Sequence, residues 1–142
     1  MTKRKGDNPF LFNGDKIMIV MTRETDSEKV REICATEGIG YSEDTKLFVA
    51  RDKDEILGYS IFEITDKLNI INISTPQILW NSIGDGLFRA TLNSAVESGV
   101  KSARIDKTLL EKLSGNIIPT EKVTEEIGDC EEFLQSIKRC GR

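Results

Sequence analysis

The chain has 142 residues, with 20 lysines and arginines against 24 aspartates and glutamates, for a formal charge of −4. Its length suits one domain with its own core, and 38% hydrophobic with 31% charged residues is the balance of a globular protein. The absence of histidine removes the commonest general base, the commonest zinc ligand and every imidazole-dependent triad, so no metal site is expected. The mild acidity offers no electrostatic footprint for a phosphate backbone, so nucleic acid is not an expected partner.

Cys34, Cys130 and Cys140 fit neither a disulfide framework nor a pair of zinc knuckles, and they are read as reduced thiols of a cytoplasmic protein. The opening Met1 to Lys5 imitates a signal-peptide n-region, but Asp7, Asn8 and Asn13 to Asp15 interrupt any apolar stretch behind it. The longest apolar run, Ile17 to Met21, falls far short of the roughly 20 residues that a membrane helix needs. No membrane association is expected.

In chain order, residues 1–15 read as a flexible arm with Phe10, Leu11 and Phe12 as its apolar anchors. Ile17 to Met21 is a short β-branched run and predicts a buried strand. Asp26 or Ser27 caps a helix to Glu37, with Val30, Ile33 and Cys34 on one face and Gly38 as its stop. Leu47 to Ala50 and Ile56 to Ile64 predict an antiparallel hairpin across the polar turn Asp52 to Glu55. Leu68 to Ser74 alternates with apolar residues in both phases, a strand buried on both faces, and Pro76 ends it. Leu87, Phe88, Thr91, Leu92, Ala95 and Val96 give a continuous apolar stripe over a helix Gly86 to Ser98, stopped by Gly99. Ser102 to Ile105 is a short strand and Thr108 to Leu113 a short helix. Lys122 to Ile127 reads as a further strand and Asp129 to Arg139 as a closing helix. Cys130 and Cys140 then stand about 15 Å apart on that helix, beyond disulfide reach. The pattern is that of one α/β domain over 16–142.

The segment Asn81-Ser-Ile-Gly84-Asp-Gly86 between a strand and a periodic helix has the composition of an anion site. Glycines admit a close approach of the backbone, and first-turn amides with the helix dipole favour negative charge. Asp85 has two readings, a carboxylate among those amides or an N-cap, and Arg89 four residues on is its natural partner. Trp80, the only tryptophan, is read as a lid on the core beside this loop.

Asn81, Gly84 and Gly86 resemble the Gln/Arg-x-x-Gly-x-Gly/Ala pattern of the GCN5-related N-acetyltransferase (GNAT) family. Ala95 to Gly99 and then Ser102 to Ile105 are similar to the end of that helix and the next strand in the family. Ile56 to Phe62 looks like its third strand, and Leu110 to Gly115 is similar to a scrambled Leu-Gly-Phe. The resemblance covers about residues 16 to 115. It implies a mixed, mostly antiparallel central sheet flanked by helices, opening between its fourth and fifth strands to hold acetyl-CoA or another acyl-CoA. The cofactor contacts it implies are Ile73, Ser74 and Thr75 at the strand end and Asn81, Ser82, Ile83, Gly84, Asp85, Gly86 and Leu87 beyond it.

Acyl transfer to an amine needs a route for the amine proton, polarisation of the carbonyl and a proton for the thiolate. The family often draws on a glutamate of the fourth strand and a tyrosine of the last helix, and neither position is filled here. Glu63 and Tyr59 on the neighbouring strand are the catalytic candidates. The implied function is an acetyl-CoA-dependent N-acetyltransferase acting on a small-molecule or peptide amine, with room for a homodimer. The alternative is a non-catalytic domain of the same fold that binds CoA or another anion, or serves as an interaction surface.

Overall fold

A computed structural model describes residues 8–12 and 17–140 of the chain. The elements are β1 (Asn8–Phe12), β2 (Ile17–Arg23), α1 (Ser27–Glu37), β3 (Thr45–Asp52), β4 (Glu55–Ile64) and β5 (Leu68–Ser74). A 3-10 turn (Gln77–Leu79) and a π turn (Trp80–Gly84) then lead into α2 (Asp85–Glu97). The chain closes with β6 (Ala103–Ile105), α3 (Lys107–Leu113), a 3-10 turn (Thr120–Lys122), β7 (Glu126–Ile127) and α4 (Cys130–Cys140). The strands form one seven-stranded sheet in sequence order, antiparallel except at β5–β6, where α2 makes the crossover that a parallel pair requires. This is the mixed, mostly antiparallel sheet flanked by helices that the family resemblance implies.

The local signals work largely as read. Asp26 accepts from the Glu28 amide at 3.0 Å to start α1, and Gly38 ends it in the left-handed region at φ 71°. Asp106 caps α3 through the Thr108 amide at 3.2 Å. Part of the expected arm differs: Asn8–Phe12 pairs along β2, from Asn8 opposite Met21 to Phe12 opposite Ile17. The rest of residues 1–15, including Lys3 to Lys5, lies outside the described residues. The strand expected over Lys122 to Ile127 is only two residues long, because a 3-10 turn occupies Thr120–Lys122.

The larger difference lies before α2. The glycine loop expected at Asn81 to Gly86 is helical, for Gly84 has φ −60° and ψ −42° and the Asp85 amide donates to the Ser82 carbonyl. The cause is apolar: Trp80, Ile83 and Leu87 carry the buried stripe of α2 back by a further turn. Glycine makes room for it. A Cβ on Gly84 would stand 2.8 Å from the Trp80 ring, and one on Gly86 2.5 Å from Met21 Cε.

Two cores flank the sheet. Phe62, Leu68, Ile70 and Ile73 meet Ile83, Leu87, Phe88 and Leu92 on the α2 side, while Leu47, Val49 and Ile61 meet Val30 and Cys34 of α1 on the other. Between β4 and α2 the fully buried Ser60 and Thr91 hydroxyls lie 2.7 Å apart, and Thr91 donates to the Leu87 carbonyl at 2.8 Å. Thr91→Val strands the Ser60 hydroxyl and should cost about 1–3 kcal/mol, read by denaturant unfolding. Adding Ser60→Ala to that variant should recover part of the loss, because no unpaired hydroxyl then remains.

Candidate functional site

The site begins where the parallel pair stops. β5 and β6 are in register only at Leu68–Ala103, Asn69–Arg104 and Ile70–Ile105. The Asp106 amide then donates to the Ile70 carbonyl at 3.0 Å, and the chain turns into α3. On its other side β5 carries a bulge: Ile61 faces Asn72 and Phe62 faces Ile70, leaving Ile71 as the extra residue. A bulge strengthens the local twist, so Ile71 to Ser74 swing away from β6 and open a cleft against α3.

The outer end of β5 is pinned from β4. Tyr59 is register-paired with Ser74, and the Thr75 hydroxyl donates to the Leu57 carbonyl at 2.9 Å. Gly58 permits this approach, since a Cβ there would stand 2.8 Å from the Ser74 carbonyl oxygen. The cleft beyond holds a cavity of 370 Å³ lined by Ser74, Thr75, Gln77, Trp80, Lys112 and Asn116. Across its mouth the Lys112 ammonium donates to the Ile73 carbonyl at 3.3 Å and lies 5.5 Å from the Trp80 ring centroid. Trp80 Nε1 in turn donates to the Lys112 carbonyl at 3.2 Å. The cavity thus offers one cation, several neutral hydrogen-bonding groups and an indole face.

A second group of polar side chains lies on the α1 face of the same strand ends. Tyr59 donates its hydroxyl to Glu37 Oε2, and Asn72 Nδ2 donates to Glu37 Oε1 at 3.0 Å. Burial, reinforced by the Glu37 carboxylate, pushes the Tyr59 hydroxyl up to about 12, with Ser74 pulling weakly the other way. Ser74 therefore belongs to both groups. The sequence reading omitted Glu37, Gln77, Lys112 and Asn116.

The predicted residues distribute unevenly. Ser74 and Thr75 line the cleft, Ile73 offers it a backbone carbonyl already taken by Lys112, and Tyr59 borders it through Ser74. Glu63 does not join them: it pairs with Asn69, four residues along β4 from Tyr59, about 13 Å away, and faces α1 near Cys34. Ile83 and Leu87 are core, and Gly84 packs on Trp80. Asn81 is exposed and Ser82 donates to the Leu79 carbonyl at 3.2 Å. Asp85 is not an N-cap, because the helix starts earlier; Arg89 Nε holds both of its oxygens at 2.9 and 3.0 Å. Gly86 is the second residue of α2, against Met21. Cys34 and Cys130 are buried free thiols, both raised chiefly by desolvation, Cys130 to about 11, which suits core packing and not nucleophilic attack.

No protein-family profile matches the chain, and neither does any curated protein. Among solved structures, the aminoglycoside acetyltransferase meta-AAC0020 from an uncultured soil metagenomic sample, in complex with sisomicin, superposes with a TM-score of 0.53. It is 17% identical over 72% of this chain and 88% of that one. Its complex with trehalose gives 0.51 at 18% identity, over 70% and 84%. An IAA acetyltransferase from Bacillus cereus ATCC 14579 is 18% identical over 67% of this chain and 71% of its own, with a TM-score of 0.49. At these identities the likeness is one of fold: the chain has the fold of the two meta-AAC0020 structures, as the resemblance in its sequence implied. No helix among the described residues is long and apolar enough to cross a membrane.

The environment of Tyr59 has a direct optical consequence. Its raised pKa means that the folded state holds the phenol proton more tightly than the unfolded chain does. The stability it contributes is complete below pH 10 and is lost as pH rises towards 12. In a 295 nm titration, the difference between the protein and its Tyr59→Phe variant should show a midpoint near 12, and Glu37→Gln should lower it.

Proposed function

We propose that this chain, which has the GNAT acyltransferase fold, binds acetyl-CoA or a related acyl-CoA in the cleft between β5 and α3 and transfers the acyl group to an amine. The observation that carries this reading is the cleft itself, where four residues of β5 run past their pairing with β6 beside the Lys112 ammonium and the Trp80 ring. The donor set fits such a ligand: a cation for a phosphate oxygen, hydroxyls and an amide for the arm, and an indole face for an apolar segment. Acyl-CoA, when bound, supplies the thioester whose C–S bond breaks as the C–N bond of the product forms.

The chain's own residues would place the groups. Ser74 and Thr75, fixed by their contacts with Gly58 and Leu57, hold the strand end rigid, and Lys112 offers its charge from α3. Tyr59 stays protonated through the neutral range and gives its one O–H to Glu37 at the edge of the cleft. We assign no diphosphate contact to the amides of Asn81 to Gly86, since helical hydrogen bonds and the Asp85 carboxylate speak against it. The buried reduced thiols support a reducing compartment, and we place the protein in the cytoplasm.

A second reading, a non-catalytic domain that binds CoA or another anion, is favoured by the same closed helical segment and by Lys112 lying across the Ile73 carbonyl. Calorimetric titration with acetyl-CoA tests what the two share. Saturable binding is expected, and Lys112→Ala should weaken it roughly tenfold, the scale of one charge-assisted hydrogen bond. No heat with either acetyl-CoA or CoA would overturn the enzyme reading and the CoA-binding reading together, leaving only a domain for another anion. Release of free CoA thiol that depends on an added amine would separate the enzyme from the binding domain.

A further inference from the structure

Glu37 occupies a position that helix electrostatics disfavour. It is in the last turn of α1, where the dipole is negative and where no basic residue sits to balance it. It is nevertheless half-buried and held at both oxygens, by Tyr59 from β4 and by Asn72 from β5. A carboxylate has about four acceptor sites, and these two bonds use two. The remaining capacity is held in a fixed direction beside the strand ends.

The surroundings complete the case. Tyr59 and Ser74 are register partners, so they share the α1 face of the sheet, and Ser74 also lines the cleft cavity. Farther along the same face come Glu63 and Asn69, another register pair. Arg31 of the same helix is turned to the Tyr41 ring, 4.7 Å from its centroid. The fully buried Ile61 lies between the two pairs and keeps Glu63 apart, so Glu37 is the carboxylate at the end of this face that meets the cleft at Ser74.

We infer that Glu37, held by Tyr59 and Asn72, is the anchor of an acceptor subsite that selects a cationic aliphatic amine and delivers it to the cleft at Ser74. This rests on the acyltransferase reading, and it adds the charge class of the acceptor and the residue that recognises it. Tyr59 and Asn72 are positioning residues, since they fix the carboxylate against an unfavourable helix end. An uncharged molecule of the same shape offers Glu37 only a hydrogen bond from a neutral donor and is discriminated against by the loss of the ammonium charge.

The test uses the isotopically labelled full chain and putrescine as the probe, with 1,4-butanediol as its uncharged counterpart. Putrescine should move the Asn72 side-chain amide and the Ser74 backbone amide saturably. Butanediol should not move them at the same concentration, and Glu37→Gln should weaken the putrescine response at least tenfold. Unmoved Asn72 and Ser74 signals, equal responses to both probes, or an unchanged response in Glu37→Gln would each overturn the inference. Should Glu37→Gln fail to fold, Glu37→Asp keeps the charge but withdraws it by one methylene. It must then weaken putrescine at least threefold, and unchanged binding overturns the inference. Acetyl-CoA added to the same sample is read separately at the Trp80 indole and at Thr75. Silence there overturns the acyl-CoA reading, while the putrescine result stands or falls by itself.

Discussion

The architecture turns on a parallel strand pair that lasts three residues. Because β6 ends at Ile105 and Asp106 at once caps α3, the outer half of β5 has no neighbour on that side. The bulge at Ile71 twists it further away. Everything assigned to the cleft depends on this: the cavity, the Ile73 carbonyl that β6 leaves to Lys112, and the position of Trp80 against α3. Full pairing of β6 along β5 would leave a closed sheet with nowhere to hold a ligand.

A gap of this kind survives only if its walls are stiff. The β4 wall is locked by the close approach of Gly58 to Ser74 and by the Thr75 to Leu57 hydrogen bond. The α2 wall is locked by the buried Ser60–Thr91–Leu87 chain and by the apolar stripe that runs back to Trp80. The α1 face is treated differently. There a small core of five buried residues gives way to polar side chains at the strand ends, and a carboxylate is held against the helix dipole. One side of the sheet supports the cleft and the other offers it a charged border.

What could be read from the sequence was local. The period of α2, the Asp26 cap, the Gly38 stop and the apolar run of β2 declare themselves within a few residues, and the structure agrees with them. The bulge at Ile71 has no local signature, because an extra residue is defined only against a partner strand. Glu37 was invisible for a similar reason: its partners Tyr59 and Asn72 are 22 and 35 residues away. Asn81 to Gly86 misled in the opposite direction. Two glycines before a helix suggest an open loop, but here they make space for Trp80 and Met21, and that packing is long-range or sterically specific. Lys112 has the look of a solvated charge on a short helix until the cleft places the Ile73 carbonyl beside it.

The central claim is that the cleft between β5 and α3 takes an acyl-CoA, and the protein carries its own reporter there. Trp80 is the only tryptophan in the chain and it lines the cavity. Its intrinsic fluorescence should change saturably as acetyl-CoA is added, after correction for adenine absorbance, while the melting temperature keeps rising with the logarithm of the concentration above the dissociation constant that the fluorescence gives. Fluorescence and melting temperature that both stay unchanged up to millimolar acetyl-CoA would contradict the account.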